Sequence, residues 1–161
     1  AATAAIIDYK EGEIRAFLSG KVIKIEDVPD KVFSEKVLGD GLAIEPTDNV
    51  LIAPADGEII NVMDGSLHAC GMALKNGVEI LFHIGLDTVS MNGDGFECLV
   101  KEGDTVKAGD RLIKFDPEKI KAAGHPTVTM MVITDEGSSG GIEFKTGMEA
   151  GAGKTVVARC L

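Results

Sequence analysis

His68-Ala69-Cys70-Gly71-Met72-Ala73-Leu74-Lys75-Asn76-Gly77-Val78-Glu79-Ile80-Leu81-Phe82-His83 reads as two short apolar runs around one Asn-Gly pair. An Asn-Gly flanked by apolar runs is the strongest short-range signal for a β-hairpin. With Asn76-Gly77 as a two-residue turn, Lys75 pairs with Val78, His83 faces Cys70 and His68 faces Gly85. Residues two apart on a strand share a face. His68 and His83 are then diagonal neighbours on one face, with Cβ atoms somewhat under ~7–8 Å apart. Two imidazoles that close can share one small ligand.

The rest of the chain continues the same pattern. Short β-rich runs alternate with Gly, Asp, Asn and Pro: Lys21–Ile25, Leu42–Glu45, Val50–Ala53, Glu58–Val62, Phe96–Val100, Arg111–Phe115, Val128–Ile133, Ile142–Phe144 and Val156–Cys160. With His68–Leu74 and Val78–Ile84 from the hairpin, they predict an all-β fold, an antiparallel sandwich or barrel. One helix is signalled by Asp116 as N-cap, Pro117 at the first helical position and Gly124 at the end. A further helical turn is expected at Pro29–Val37. Gly20-Lys21-Val22-Ile23-Lys24-Ile25-Glu26-Asp27 also lines up with Gly57-Glu58-Ile59-Ile60-Asn61-Val62-Met63-Asp64, as a duplicated β motif would.

The 161 residues suit one domain, expected over 15–161, with 1–14 as a tail or linker end. Apolar residues make up 45%, which opposes disorder. The net charge of −10 should repel phosphate backbones, so nucleic acid is excluded as a partner. The same field favours a partner carrying a local basic patch. No run approaches 18 apolar residues, and Ala1–Ala5 lacks the features of a signal peptide, so no direct membrane insertion is expected. The three cysteines, Cys70, Cys98 and Cys160, are widely spaced and contain no CxxC, which opposes a disulfide scaffold and fits a reducing, cytoplasmic setting.

With three histidines in the chain, their places are informative. His125, beside Pro126, reads as an exposed loop residue after the helix. His68 and His83 suit either a metal or a phosphoryl group. A catalytic zinc needs three protein ligands, and His68, His83 and Asp87 supply three on paper. No His-x-His or His-Glu-x-x-His accompanies them. For phosphoryl transfer, a neutral histidine is a good nucleophile near pH 7, and a second imidazole N–H can hold the phosphoryl oxygens. Gly85 beside His83 would let that group approach the backbone closely.

Glu79-Ile80-Leu81-Phe82-His83-Ile84-Gly85-Leu86-Asp87-Thr88-Val89, followed by Asn92-Gly93-Asp94-Gly95-Phe96, resembles the signature of the glucose-type enzyme IIA domain of the bacterial phosphoenolpyruvate:sugar phosphotransferase system. The run from Glu26 to Gly41, Ala53-Pro54-Ala55-Asp56-Gly57, His68-Ala69 and the Gly103–Gly109 turn agree with it, so the likeness extends from about Gly20 to Thr134. The resemblance implies a β-sandwich with a shallow active-site depression. It implies that His83 accepts a phosphoryl group from phosphohistidine on HPr and passes it to a cysteine of the IIB domain of a sugar permease. His68 then matches the second active-site histidine, which steadies the group. Ser66 stands where Thr is usual, a hydroxyl that fixes an imidazole tautomer. Asp30 and Asp87 match acidic residues at the site edge. Val32, Phe33, Leu38 and Leu81 match the apolar docking ring, with Gly85 on the same partner-binding face. Met130 stands where Pro is common. No cofactor and no resident metal are implied.

Other readings stay open on the residues alone. A zinc-dependent peptidase-like β protein would use His68, His83 and Asp87. A biotinyl or lipoyl carrier would need a hairpin-tip lysine, and Lys75 lacks the expected context. Asp30 can serve simply as a cap after Pro29, Asp87 as a loop residue, and Phe33 and Leu38 as core.

Overall fold

The computed structural model describes Ile6 and residues 8–161. The tail expected at the N-terminus falls partly outside these residues. The strands are β1 (Glu13–Arg15), β2 (Gly20–Lys24), β3 (Asp40–Pro46), β4 (Val50–Ile52), β5 (Gly57–Val62), β6 (Ala69–Leu74) and β7 (Glu79–Ile84). They continue with β8 (Phe96–Cys98), β9 (Thr105–Val106), β10 (Arg111–Phe115), β11 (Thr129–Asp135), β12 (Ile142–Phe144), β13 (Glu149–Ala150) and β14 (Val156–Cys160). Two short α-helices, α1 (Lys31–Ser34) and α2 (Pro117–Ala122), and two 3₁₀ turns complete the described elements.

The strands form three antiparallel sheets. The largest has the order β13-β2-β3-β11-β7-β6-β5-β9, and the smaller ones are β1-β14-β12 and β4-β10-β8. The all-β prediction holds, and the two Gly-led repeat segments become β2 and β5. Three strands escaped the sequence reading. β9 and β13 have two residues each, too few to show a period. β1 carries Glu13 and Arg15, both buried, and straddles the expected junction between the 1–14 tail or linker end and the 15–161 domain. Their burial rests on pairing: Arg15 Nη2 donates to Glu13 Oε1 at 2.9 Å, Arg15 Nη1 donates to the Gly153 carbonyl, and Arg159 lies 3.7 Å from Glu13. A buried ion pair persists only when its remaining donors are satisfied in this way. The domain boundary expected after residue 14 therefore cuts through β1.

The main core lies between the sheets. β7 sends Ile80, Phe82 and Ile84 into it, β11 sends Met131 and Ile133, and β3 sends Leu42 and Ile44. The opposite face of the same strands has its own smaller apolar cluster. There Ala43, Met130 and Val132 pack with Ile25, Val28, Phe33 and Leu86 under the segment that carries α1. That segment is held by Asp30, whose carboxylate accepts from the Val32 N–H at 2.9 Å as an N-cap. His83 points to this second face, at the end of β7.

The hairpin register differs from the expectation by one residue. Ala69 pairs with His83, Cys70 with Phe82 and Gly71 with Leu81. The Leu74 N–H donates to the Val78 carbonyl, and the Gly77 N–H donates back to the Leu74 carbonyl. The loop is therefore Lys75-Asn76-Gly77, three residues long, with Gly77 at φ 84. A type I turn followed by a left-handed residue gives this bulged hairpin, and it competes with the two-residue turn for the same Asn-Gly signal.

Candidate functional site

Regular alternation in the observed register would put His68 on the face opposite His83. It does not apply, because β6 begins only at Ala69 and Leu67 takes φ 56. Outside the strand, His68 brings its ring edge-on to that of His83, with centroids 4.6 Å apart and planes at 84°. The backbone ties the pair as well, since the Ile84 N–H donates to the His68 carbonyl at 2.8 Å. The two histidines are neighbours as the hairpin spacing predicts, but in a register one residue away from the expected one.

His83 has a defined tautomer. Its Nδ1 lies 2.8 Å from the Gly85 carbonyl oxygen, which can only accept. Nδ1 must carry the proton, and the neutral ring keeps its lone pair on Nε2. Gly85 makes this possible by turning the chain at φ 74, directly after β7. A Cβ there would sit 2.5 Å from Thr88 Cγ2 and 2.9 Å from the Pro126 carbonyl, so both the conformation and the space require glycine.

His68 is 2% exposed, and its Nδ1 lies 2.9 Å from Ser66 Oγ. Ser66 is buried too, so the hydroxyl has a partner where one was expected. Burial, followed by the nearby His83 charge, pushes the His68 pKa down to about 4. His83 is lowered as well, chiefly by burial; the Gly85 hydrogen bond, Asp30 and Asp87 act in the opposite direction. Both rings are therefore neutral at pH 7.

The lowered pKa of His68 has a consequence for stability. The unfolded chain binds a proton on this ring near 6.5, and the folded chain only near 4. The neutral ring's full contribution is present above pH 6.5 and is lost as pH falls from 6.5 to about 4. In a nitrogen-15 NMR titration, His68 is expected to stay neutral at pH 5.5, with a midpoint close to 4. A midpoint near 6.5 would refute this description of its surroundings.

The surrounding residues divide by exposure. Val32, on α1, and Leu38, beyond it, are exposed apolar side chains, at 46% and 42%. Leu81 is half-buried against the second cluster. Phe33 is 6% exposed, and its ring lies 5.1 Å from that of His83. It packs on the histidine and adds little outer surface. Asp87 is exposed at φ 60, and Asp30 is half-buried at the start of α1. Met130 pairs across the sheet with His83 on one side and Ala43 on the other, so the residue at the unusual position is a direct neighbour of the site.

The remaining candidates lie elsewhere or lack partners. His125 is half-buried instead of exposed, with Nε2 3.3 Å from Ser90 Oγ. Cys70 is buried, with its thiol pushed up to about 12 by burial and then by Cys98. Such a thiol is not nucleophilic near pH 7. Among the described residues, no three of the His, Cys, Asp and Glu side chains converge as metal ligands, so Asp87 does not complete a zinc set with the two histidines.

Residues 12–138 match the family model described as phosphoenolpyruvate-dependent sugar phosphotransferase system, EIIA 1. The glucose-specific EIIA component of Bacillus cereus is 48% identical over 147 residues, which cover 91% of this chain and 88% of that protein. A glucose-specific EIIBCA component of Corynebacterium glutamicum is 43% identical over 145 residues, 90% of this chain and 21% of that longer protein. The structure of glucose permease IIA from Mycoplasma capricolum superposes with a TM-score of 0.80 at 36% identity, covering 91% of this chain and 94% of that one. The sandwich, the paired histidines and the match across most of the chain lead to one conclusion: this protein belongs to the EIIA type 1 family of the phosphoenolpyruvate-dependent sugar phosphotransferase system.

Proposed function

We propose that His83 is the phosphoryl acceptor in this phosphotransferase component, with HPr as donor and the cysteine of a permease IIB domain as the next acceptor. The observation that carries the reading is the hydrogen bond from His83 Nδ1–H to the Gly85 carbonyl. It leaves Nε2 unprotonated, and that nitrogen is the nucleophile.

In the first step, the Nε2 lone pair of His83 forms a P–N bond as the P–N bond to the donor histidine breaks. The donor imidazole leaves with its electron pair. In the second step, a partner thiolate attacks phosphorus, the P–N bond to His83 breaks, and the pair returns to Nε2. No proton moves at Nδ1 in either step. His68, at the edge of the His83 ring, donates an N–H to the phosphoryl oxygens, with Ser66 holding its orientation. Such transfers depend on positioning and charge stabilisation more than on further covalent chemistry.

Val32, Leu38 and Leu81 form the docking face, Phe33 supports it from beneath, and Gly85, which is buried instead of on that face, serves the site through its carbonyl. The apolar surface excludes water while the phosphoryl group is in transit. Asp30 and Asp87 give the rim a negative charge that meets basic residues of the donor. The domain itself is proposed to span the described fold from β1 onward.

Incubation with phosphoenolpyruvate, enzyme I and HPr is expected to add one acid-labile phosphoryl group, read by intact mass. No gain in the presence of active HPr would refute the reading.

A further inference from the structure

Thr88 stands just outside the residues with direct roles. It is fully buried, follows Asp87 in the turn after β7, and has two interacting groups on one Cβ. Its hydroxyl donates to the Ile84 carbonyl at 2.5 Å. Its methyl occupies the space where a side chain on Gly85 would begin, 2.5 Å from an ideal Cβ. The residues it contacts are the two that join the histidines. Ile84 donates its N–H to the His68 carbonyl, and Gly85 accepts the His83 Nδ1 proton.

We propose that Thr88 is a positioning residue: its hydroxyl clamps the Ile84–Gly85 turn and so aims the Gly85 carbonyl that sets the His83 tautomer. The consequence for transfer rests on the reading of His83 as phosphoryl acceptor; the effect on the tautomer does not. The chain of contacts is short and buried. From Thr88 it runs through the hydroxyl to Ile84 O, one peptide unit to Gly85 O, and one hydrogen bond to Nδ1. A hydrogen bond to the second nitrogen decides which imidazole tautomer is present. If the carbonyl turns away, Nδ1 loses its fixed acceptor and the proton distributes over both nitrogens. The fraction with a lone pair on Nε2 then drops. Groups that orient a functional histidine in this way are commonly worth about tenfold to a hundredfold in activity.

The test uses nitrogen-15 NMR of the His83 ring in the unphosphorylated protein at pH 8. The parent is expected to show one protonated-type shift at Nδ1 and one lone-pair shift at Nε2, far apart. In Thr88→Val, which keeps the shape and removes the hydroxyl, the two shifts are expected to move together, and the rate of phosphoryl uptake to fall at least tenfold. Thr88→Ser restores the hydroxyl and is expected to restore the parent shifts and rate. If the valine variant does not fold, Thr88→Ala gives the same reading with less crowding. Parent-like shifts in a folded Val or Ala variant would overturn the proposal, as would a Ser variant that behaves like Val. Converging shifts in Thr88→Val, together with a parent that itself takes up no phosphoryl group from active HPr, would uphold the clamp and refute the acceptor reading instead.

Discussion

His83→Ala is expected to gain no phosphoryl group under conditions in which the parent is fully converted. His83 is half-buried at the end of β7, with its side chain on the smaller apolar face, so its truncation leaves the main core untouched. The fold should survive, and a thermal midpoint within a few degrees of the parent would show it. His68 is not expected to take over. Its ring is 2% exposed, and its Nδ1 is occupied by Ser66. An in-line attack needs the lone pair and the incoming phosphorus on one open axis, and a ring this enclosed does not offer one. Intact mass after incubation with phosphoenolpyruvate, enzyme I and HPr reads the result. A variant that still gained one group would place the acceptor elsewhere.

His68→Ala is expected to separate the two halves of the relay. Uptake from HPr should continue at close to the parent rate. Delivery to the IIB cysteine should fall by about two to three orders of magnitude, the usual loss when one preorganised donor to a developing charge is removed. The two steps differ in charge. Uptake exchanges one neutral imidazole for another. Delivery brings in an anionic thiolate, which adds negative charge opposite oxygens that are already charged. The N–H of His68 opposes that build-up most in the second step. His68→Gln keeps an amide N–H and should recover part of the rate. Rapid-quench measurements of each half-reaction give the comparison. Equal losses in both steps would refute this division of labour.

Much of the fold is written in local chemistry. Asp116-Pro117 and Gly124 mark α2 with a cap, a preset φ and a stop, and the helix forms between them. The strand runs of β7 and β10 are legible because their apolar residues stop at Gly85 in one case and lie between Asp110 and Asp116 in the other. Register is another matter. Asn76-Gly77 announces a hairpin but not its loop length, since two- and three-residue turns accept the same pair. Pairings of two or three residues, such as β9 and β13, are decided by neighbours that are remote in sequence. Glu13 and Arg15 look like surface residues until the Gly153 carbonyl and Arg159 are brought beside them.

The site follows the same division. His68, His83 and Gly85 are visible through residue type and spacing, and the family resemblance supplies Ser66 and the rim. Thr88 is not visible in this way. A threonine after Gly-Leu-Asp carries no signal of its own, and only the turn geometry shows its hydroxyl on the Ile84 carbonyl. Phe33 presents the converse case. The resemblance assigns it to the outer docking ring, yet the segment carrying α1 folds it inward onto the His83 ring, as its reading as a core phenylalanine expects.

The proposed relay depends on which nitrogen carries the phosphoryl group. The decisive measurement is nitrogen-15 and phosphorus-31 NMR of the phosphorylated parent, with phosphorus coupling assigned to individual ring nitrogens. The structure predicts coupling to Nε2 of His83, with Nδ1 still protonated toward the Gly85 carbonyl. Coupling to Nδ1 of His83, or to either nitrogen of His68, would contradict it.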